Sequence, residues 1–421
     1  MSRTACLEVV SAVAVFLLLA GAGGAAGYIG LIGTPSDLDF FMRESFRGDE
    51  IDDRNFRYAD EYFLNVLSFR HLSSSDAIWA AHTRGYRLAL GSVTSAEFFL
   101  DHEAKIDLEL GANIALHYRF VQAEDYDSRY FRHLVALSYR FSTVVRPYAY
   151  TQLSAFKEDI DIGGGLLVAA KPVQLNLGFV FPKAFLNTKS RTDERFERQA
   201  FGLGLVATLP VSERWRITVR LFQNFPLEIA APREGRAFQF RRFVYGPEIA
   251  YRIDAASSLR WAVHGEDTEK EREFLGPRNV ENARMRRFAL RSMLVYSHAW
   301  QSATLLDTGI FFHRFREPTR FPLAPARTVR RERTEVLLFG QVSWRVWNGL
   351  SVVPGVFFGY VEALDRRPPA APPETDDSVQ AKVSLGLAYR FSEYAYLQLQ
   401  PTFDLDQPRF GGAGAHFVAT F

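Results

Sequence analysis

Cysteine is nearly absent from this 421-residue sequence, in which Cys6 is the only one. Because Cys6 precedes the first apolar run, it belongs neither to a lipoprotein anchor nor to the mature chain, which suits an oxidising envelope compartment. Apolar runs are scarce too, and after the N-terminus none approaches the roughly 18 residues that a membrane helix needs. The nine histidines are scattered, and no G-x-S-x-G sequence is present. The sequence therefore gives no support to a helical membrane protein, a metal centre or an enzyme.

The N-terminus has the pattern of a secretory signal peptide. Arg3 precedes an apolar run over residues 9–20, and a tract of small residues follows that run. The run is too short to cross a bilayer, although Glu8 beside it is atypical. We therefore predict a signal peptide over residues 1–26. The acidic segment over residues 27–57 is predicted to be a short periplasmic lead-in.

Aromatic residues are abundant: they make up 14% of the chain, with 37 Phe and 17 Tyr. They lie in stretches where apolar and polar residues alternate, such as residues 105–120, and a period of 2 is typical of a β-strand. A strand of ~15 residues exceeds the ~5–6 of a globular strand and can cross a bilayer at a tilt, which takes ~9–11. The pattern recurs at residues 135–141, 173–181, 214–222, 382–391 and 397–404.

Short and long connections alternate between these stretches. Short turns are predicted near residues 142–146, 171–172, 210–212, 255–257, 300, 348 and 392. Long charged links are predicted at residues 184–198, 226–237, 265–286, 316–333 and 365–377. Aromatic clusters are predicted at strand ends, over residues 118–120, 139–141, 344–347 and 389–391. Short turns on one rim, long loops on the other and an aromatic girdle are typical of a transmembrane β-barrel, whereas a secreted β-sandwich does not collect aromatics at one end.

We predict an all-β fold, a single antiparallel up-and-down β-barrel over residues 58–421 with about 18 strands (16 to 20) and a water-filled lumen. The register opposite the apolar one carries more cations than acids, and such a row of charges guides anions through a pore. The predicted pore-lining residues are Arg119, Arg214, Arg216, Arg220, Arg287, Arg291, Lys382 and Arg390. As an alternative, arginines near strand ends extend to lipid head groups or pair with acids across the lumen.

The C-terminal residues 409–421 alternate in the same way, with Phe417 and Phe421 in the apolar register. This ending resembles the closing strand of bacterial outer-membrane β-barrels, whose terminal Phe is read by the barrel-assembly machinery. The resemblance implies that Phe417 and Phe421 form the assembly signal. It also implies a multi-pass barrel in the outer membrane of a Gram-negative bacterium.

Residues 27–36, reading GYIGLIGTPS, resemble the opening of YjbH-like outer-membrane barrels, which are linked to exopolysaccharide secretion. The sequence departs from that pattern after Ser36. The resemblance implies that a polysaccharide (exopolysaccharide, capsule or coat polymer) passes through the lumen, with a periplasmic polysaccharide-export protein as partner. No ATP-binding loop is present, so we expect translocation to be passive.

Two other functions remain open. The cationic lumen also suits a general or anion-preferring diffusion porin for small anionic solutes, and the loops suit a structural or adhesive surface barrel. The arginine-rich stretch over residues 314–333 is predicted to bind lipopolysaccharide phosphates rather than to act as a substrate gate. No catalytic residue, metal, cofactor or nucleic-acid partner is predicted, and Ser297 beside His298 is interpreted as incidental.

Overall fold

The computed structural model describes residues 84–92, 98–125, 129–154, 159–170, 172–188, 193–300, 304–366, 374–392, 395–405 and 409–419. The predicted signal peptide, the predicted lead-in, the GYIGLIGTPS segment and Phe421 lie outside these ranges. The first described strand begins at Arg84. Within the described residues, no helix has the length and apolar character needed to cross a membrane.

The described chain forms one antiparallel sheet that closes on itself. Its strands are β1 (Arg84–Ser92), β2 (Phe98–Glu109), β3 (Ile114–Asp125), β4 (Arg129–Tyr139), β5 (Val145–Ser154), β6 (Asp161–Ala170), β7 (Val173–Phe181), β8 (Arg195–Arg198), β9 (Phe201–Pro210), β10 (Trp215–Ala231), β11 (Arg236–Arg252), β12 (Ser257–Phe274), β13 (Ala283–Trp300), β14 (Thr304–Arg320), β15 (Val329–Trp347), β16 (Leu350–Arg366), β17 (Glu374–Ser392), β18 (Ala395–Asp404) and β19 (Arg409–Ala419).

Strands that follow each other in sequence lie side by side, and β1 also pairs with β19, which closes the barrel. β8 and β9 lie one after the other along β10, so together they make one crossing. The 19 strands of the sheet therefore make 18 crossings. The predicted up-and-down barrel of about 18 strands is confirmed.

The closing seam has the register expected of the last strand. Phe417 lies opposite Leu397 of β18 and Tyr86 of β1. Ala415, two residues earlier, lies opposite Leu399, whose side chain is exposed on the outer surface. Because alternate residues of a strand share a face, Phe417 and Ala415 lie on the same face of β19. The role of Phe417 and Phe421 in assembly stays a prediction.

An apolar band surrounds the barrel, and it spans Trp215 to Phe225 on β10 and Phe243 to Tyr251 on β11. This length matches the ~9–11 residues that a tilted strand needs to cross a bilayer. At the turn rim, the band is bounded by the exposed aromatic side chains of Tyr139, Phe141, Trp215, Trp344, Tyr389 and Phe391. At the other rim it is bounded by Phe181, Phe201, Phe225, Phe243 and Phe288. The aromatic cluster over residues 118–120 was predicted at a strand end, but it lies in the middle of β3.

The barrel is taller on one side. β10 to β17 have 17 to 19 residues each, and β1 to β7, β18 and β19 have 9 to 12. We call the parts of β10 to β17 beyond the band, at the rim away from the short turns, the extension.

Most of the long charged links predicted at residues 226–237, 265–286 and 316–333 are strands of the extension, so the link assignment was wrong there. These strands are joined by short 3-10 segments at Pro232–Glu234, Gly276–Glu281 and Pro325–Arg327. These strands could not be recognised in the sequence because the outward positions beyond the band are also polar, as at Asp267, Glu269 and Glu271. With polar residues in both registers, no alternation of hydrophobicity remains.

The predicted short turns lie between strands as expected, and three of them share one structure. In the segments 141–145, 211–215 and 253–257, the first two N–H groups donate to the carbonyl of the fifth residue. The side-chain oxygens of the second residues, Ser142, Ser212 and Asp254, accept hydrogen bonds from the fourth and fifth N–H groups. Serine and aspartate favour such positions because their short side chains reach their own backbone.

The turn between β15 and β16 consists of Asn348 and Gly349. Gly349 has a φ of 80°, a left-handed conformation that costs glycine little. Asn-Gly is a common pair in two-residue hairpin turns. The left-handed position of this turn is occupied by Gly349 alone, since Lys183 is the only described non-glycine residue with a positive φ. The sequence signal at residue 348 therefore had a direct physical basis.

Asp254 makes its turn sensitive to acid. The hydrogen bond from the Ala256 N–H, with a further one from Ser257, lowers the pKa of this carboxyl below its usual value of 3.8. A group with a lowered folded-state pKa stabilises the fold above its unfolded pKa, and that stabilisation is lost as pH falls through the folded value. We expect the melting temperature of Asp254→Asn to fall less between about pH 4 and pH 2 than that of the wild type. Ser212→Ala is the control, and its melting temperature is expected to change with pH as that of the wild type does. If the melting temperature of Asp254→Asn falls in acid as much as that of the wild type, the assignment is contradicted.

Candidate functional site

A chain of buried ion pairs runs across the inner wall from β11 to β14. Arg242 donates to Glu266 at 2.9 Å, and Arg287 donates to the same carboxylate at 3.3 Å. Arg287 also donates through Nε and Nη2 to Glu317, both at 3.0 Å. All four side chains are at most 2% exposed. Removed from water, each of these charges depends on its neighbours for stabilisation.

Other predicted pore cations are paired in the same way. Arg220 donates to Glu248 at 3.1 Å, Arg119 donates to Asp107 at 2.7 Å, and the Lys382 ammonium lies 2.9 Å from Asp404. Further inner-wall pairs are Arg260 with Glu248, Arg333 with Glu335 and Arg236 with Glu194. The row of positive charges predicted along the lumen is therefore largely balanced by acids, and these acids lie on neighbouring strands rather than across the lumen.

Arg291 lies in the inward register of β13, opposite His313 on β14. Arg214 lies in the turn before β10 and not on the strand, at an exposed position of the turn rim. The arginine–acid pairs and these placements leave open which residues meet a solute. That role stays a prediction for all eight residues named from the sequence.

Arginines without acid partners lie at the turn-side mouth of the barrel. Arg146, Arg216, Arg345 and Arg390 occupy inward positions next to the short turns, on β5, β10, β15 and β17. Among the described residues, no carboxylate lies at ion-pair distance from any of the four, which we call the mouth arginines. Arg216, Arg345 and Arg390 are exposed and Arg146 is half-buried.

Two further arginines lie at the same mouth with weak or neutral partners. Arg140 is 3.7 Å from Glu109, and both side chains are largely exposed. Arg252 donates to the backbone carbonyl of Glu213 at 2.8 Å. Because opposite charges are fewer here than in the buried chain, the mouth carries positive charge that is not compensated by described acids.

Neutral hydrogen-bonding groups line β17 and β18. Gln398 donates to Gln400 at 2.9 Å, and Gln400 donates to Ser384 at 3.1 Å. Across the barrel, Tyr148 donates to Asn176 at 2.8 Å. Amide and hydroxyl groups both donate and accept hydrogen bonds, as sugar hydroxyls do.

Three adjacent strands bring Asp107, His117 and Ser138 into one hydrogen-bonded line. Nδ1 of His117 lies 2.8 Å from Oδ1 of Asp107, and Nε2 of His117 lies 2.9 Å from Oγ of Ser138. The order resembles that of a hydrolytic triad. However, Arg119 donates two hydrogen bonds to Asp107, at 2.7 and 3.1 Å, and so neutralises the carboxylate. The alternating pattern placed Asp107 and His117 on one face, but the contact with Ser138 depends on the register of β3 and β4.

Charged and hydrogen-bonded side chains thus lie inside a closed barrel, beside two buried apolar clusters that include Phe222, Phe240 and Phe357. The outer face is an apolar band between two aromatic girdles, which is the organisation of barrels in the outer membrane of Gram-negative bacteria. The protein is an outer-membrane β-barrel. In the described part of this barrel, no group of three or more His, Cys, Asp and Glu side chains is placed to hold a metal ion.

No family model matches the barrel, and no curated protein matches it. Similar solved structures include OmpT, an outer membrane protein of Vibrio cholerae, with 10% identity, 79% of this chain and 95% of that chain covered, and a TM-score of 0.39. OccAB2 of Acinetobacter baumannii has 9% identity, coverage of 80% and 96%, and a TM-score of 0.38. A bacterial polysaccharide outer membrane secretin has 10% identity, coverage of 81% and 100%, and a TM-score of 0.37. These low values carry no conclusion about function.

Proposed function

We propose that this barrel is a passive outer-membrane channel that translocates an anionic polysaccharide (exopolysaccharide, capsule or coat polymer). The observation that carries the proposal is the set of mouth arginines, which have no acid partners among the described residues. In barrels of this type the short turns face the periplasm. The mouth arginines therefore meet an exported polymer first and raise the local concentration of its carboxylate, pyruvyl or phosphate groups.

One feature favours a sugar polymer over a small ion, namely the resemblance of residues 27–36 to YjbH-like barrels. A periplasmic polysaccharide-export protein is the proposed partner that delivers the polymer. The barrel-assembly machinery, recognising Phe417 and Phe421, is the proposed partner for insertion.

Removing the positive charge of the mouth tests the proposal. The mouth variant has Gln in place of the four mouth arginines, Arg146, Arg216, Arg345 and Arg390. The control variant has Gln in place of four exposed arginines outside the lumen, Arg195, Arg241, Arg278 and Arg286. Both variants lose the same charge. We expect the mouth variant to lower surface polymer at least about tenfold, because charged entrances change encounter rates by 10–10³, and the control to keep wild-type levels. Both must reach the membrane in equal amounts. Unchanged surface polymer in the mouth variant, or in a strain that lacks the protein, contradicts the function.

An anion-preferring diffusion porin is the second candidate, and the same mouth arginines favour it. The two functions differ in what a deletion strain loses. A porin deletion reduces uptake of small anions and leaves surface polymer unchanged, whereas deletion of the export channel removes the polymer while its repeat units are still made.

We also propose that the barrel is not an enzyme. Ser138 lies within a continuous strand between Ala115 of β3 and Tyr148 of β5, whereas hydrolase nucleophiles usually lie on an exposed, strained turn. Its line with His117 and Asp107 is instead a brace between β2, β3 and β4. We expect a fluorophosphonate probe to leave the folded protein unlabelled. Labelling that disappears in Ser138→Ala contradicts this and indicates a serine hydrolase.

A further inference from the structure

The inner wall of the barrel carries a continuous apolar surface. Its buried residues form one cluster on strands from β3 to β13, which includes Leu134, Tyr150, Phe222, Phe240 and Met285. We call this set the inner cluster, and these five side chains are at most 4% exposed. A barrel with this number of strands leaves an aqueous lumen that its own side chains do not fill. Water would therefore reach the inner cluster unless further chain covers it.

Two tyrosines show on which side this cover lies. The ring of Tyr150 lies against Gly163 and the ring of Tyr148 lies against Gly165, so closely that a Cβ at either glycine would collide with the ring. The two rings are stacked at an interplanar angle of 23°. Each ring therefore has one face on the wall and the other toward the lumen. Because Tyr150 is only 4% exposed and Tyr148 only 9%, the faces toward the lumen are covered as well.

The strands around Leu134 do not supply this cover. Leu134 is fully buried in the middle of β4, and its partners in the strand register, Arg119 and Gln152, belong to the same wall. The described links join strands at the two rims. Side chains from the far wall of so wide a barrel do not reach across the lumen. The inner cluster is thus a surface that needs an occupant.

Residues 37–53, which lie outside the described residues, have the chemistry to be that occupant. They contain seven acids and two arginines, together with the apolar residues Leu38, Phe40, Phe41, Met42, Phe46 and Ile51. The apolar residues match the inner cluster. The acids match a wall on which Glu248 is shared by Arg220 and Arg260, and a mouth whose arginines have no acid partner among the described residues.

The connection to β1 places this segment at the correct end of the barrel. Arg84, the first residue of β1, pairs with Ile106, close to the short turn over residues 110–113. The chain therefore enters the barrel wall from the turn rim, beside the mouth arginines. Residues 54–83 can extend over roughly 100 Å, whereas a strand of 12 residues is about 40 Å long. Residues 37–53 can thus reach back through the mouth into the lumen.

We propose that residues 37–53 of this chain occupy the lumen, with their apolar side chains on the inner cluster and their acids toward the mouth arginines, and that they narrow the passage. The segment is part of the predicted periplasmic lead-in, which the proposal moves into the barrel. The narrowing rests on the proposed channel function, whereas the position of the segment does not. An anionic solute then competes with the segment for the mouth arginines.

Cysteine labelling of the full-length barrel in detergent tests the position of the segment. The predicted mature chain has no cysteine, so Leu134→Cys provides a single thiol on the inner cluster. We expect a water-soluble maleimide to label it at least about tenfold more slowly than Leu275→Cys, since Leu134 opens to solvent only when the segment leaves. Leu275 is 79% exposed. Equal labelling rates at the two positions overturn the proposal.

The deciding variant replaces residues 37–53 with glycine and serine of the same length. Leu134→Cys is expected to lose its protection in this background, and continued protection there contradicts the assignment. The control replaces residues 54–70 in the same way, leaves residues 37–53 intact and is expected to keep the protection. If the control loses it, the assignment to residues 37–53 is wrong. Folding of each variant is checked by its heat-modifiable migration.

Single-channel conductance in a planar bilayer tests the narrowing. The variant without the native residues 37–53 is expected to conduct more than the wild type, and the control is expected to match the wild type. Unchanged conductance in the first variant overturns the narrowing. Neither measurement uses surface polymer, so a failure of the proposed export function is distinguished from a failure of this proposal.

Discussion

Replacing Arg287 with alanine is expected to destabilise the folded barrel by about 3–5 kcal/mol, the cost of breaking a buried ion pair. Arg287 is fully buried and is bonded to both Glu266 and Glu317. Its loss leaves Glu317 without the two hydrogen bonds that Arg287 donates, and leaves Glu266 with fewer. The measurement is the free energy of unfolding by urea in lipid vesicles.

The neighbouring residue provides the control. Arg286 faces outward, is exposed and pairs with Asp267 and Glu269 at 3.3 and 3.6 Å. Exposed pairs contribute about 0–1 kcal/mol, so Arg286→Ala is expected to cost little. The double variant Arg287→Met with Glu317→Leu is expected to recover much of the loss, since it removes both charges. Equal effects of Arg286→Ala and Arg287→Ala contradict the assignment of inner and outer faces.

Placing arginine in the middle of the apolar band is the second large change. Val219 faces outward on β10, between Trp215 and Phe225 at the two girdles. An arginine at the bilayer midplane of a barrel costs about 2–4 kcal/mol, so Val219→Arg is expected to lower the free energy of unfolding by that amount.

Gln239→Arg is the matched variant outside the band. Gln239 also faces outward, but it lies in the extension of β11, beyond Phe243. The arginine there remains in water, and a surface substitution of this kind changes stability by about 0.5 kcal/mol or less. A similar loss in both variants contradicts the position of the band.

The barrel could be predicted because the strands of the apolar band nearly all show the same local alternation of apolar and polar residues. In residues 215–225 and 243–251 a period of 2 indicates both the strand and its outward face. The turns could be predicted for an equally local reason. Ser212 and Asp254 accept hydrogen bonds from the backbone of their own turns, and Gly349 adopts the left-handed conformation that its turn needs.

The extension and the buried ion pairs could not be predicted in the same way. At Asp267, Glu269 and Glu271 the outward register is acidic, and the inward register beside it includes Glu266 and Thr268, so neither face stands out. The partner of a buried charge lies on the neighbouring strand, and its identity depends on the register of the two strands. The sequence therefore indicated Arg220 and Arg287 but not Glu248 and Glu317, their partners.

Inside the barrel, the cations of the inner wall and those of the mouth differ in whether they are paired with acids. Arg119, Arg220, Arg287 and Lys382 hold the wall together through their acids. The mouth arginines have no acid partner among the described residues. We therefore propose that selectivity for anions lies at the entrance, where these charges are least buried, rather than along the whole passage.

The zero-current potential of the purified protein in a planar bilayer, across a gradient of potassium chloride, tests the anion selectivity of the entrance most directly. The wild type is predicted to show a potential of the sign for chloride preference. The variant with Gln at Arg146, Arg216, Arg345 and Arg390 is predicted to shift toward zero, whereas the control with Gln at Arg195, Arg241, Arg278 and Arg286 is predicted to match the wild type. An unchanged potential in the mouth variant, or a cation preference in the wild type, contradicts an anion-receiving mouth.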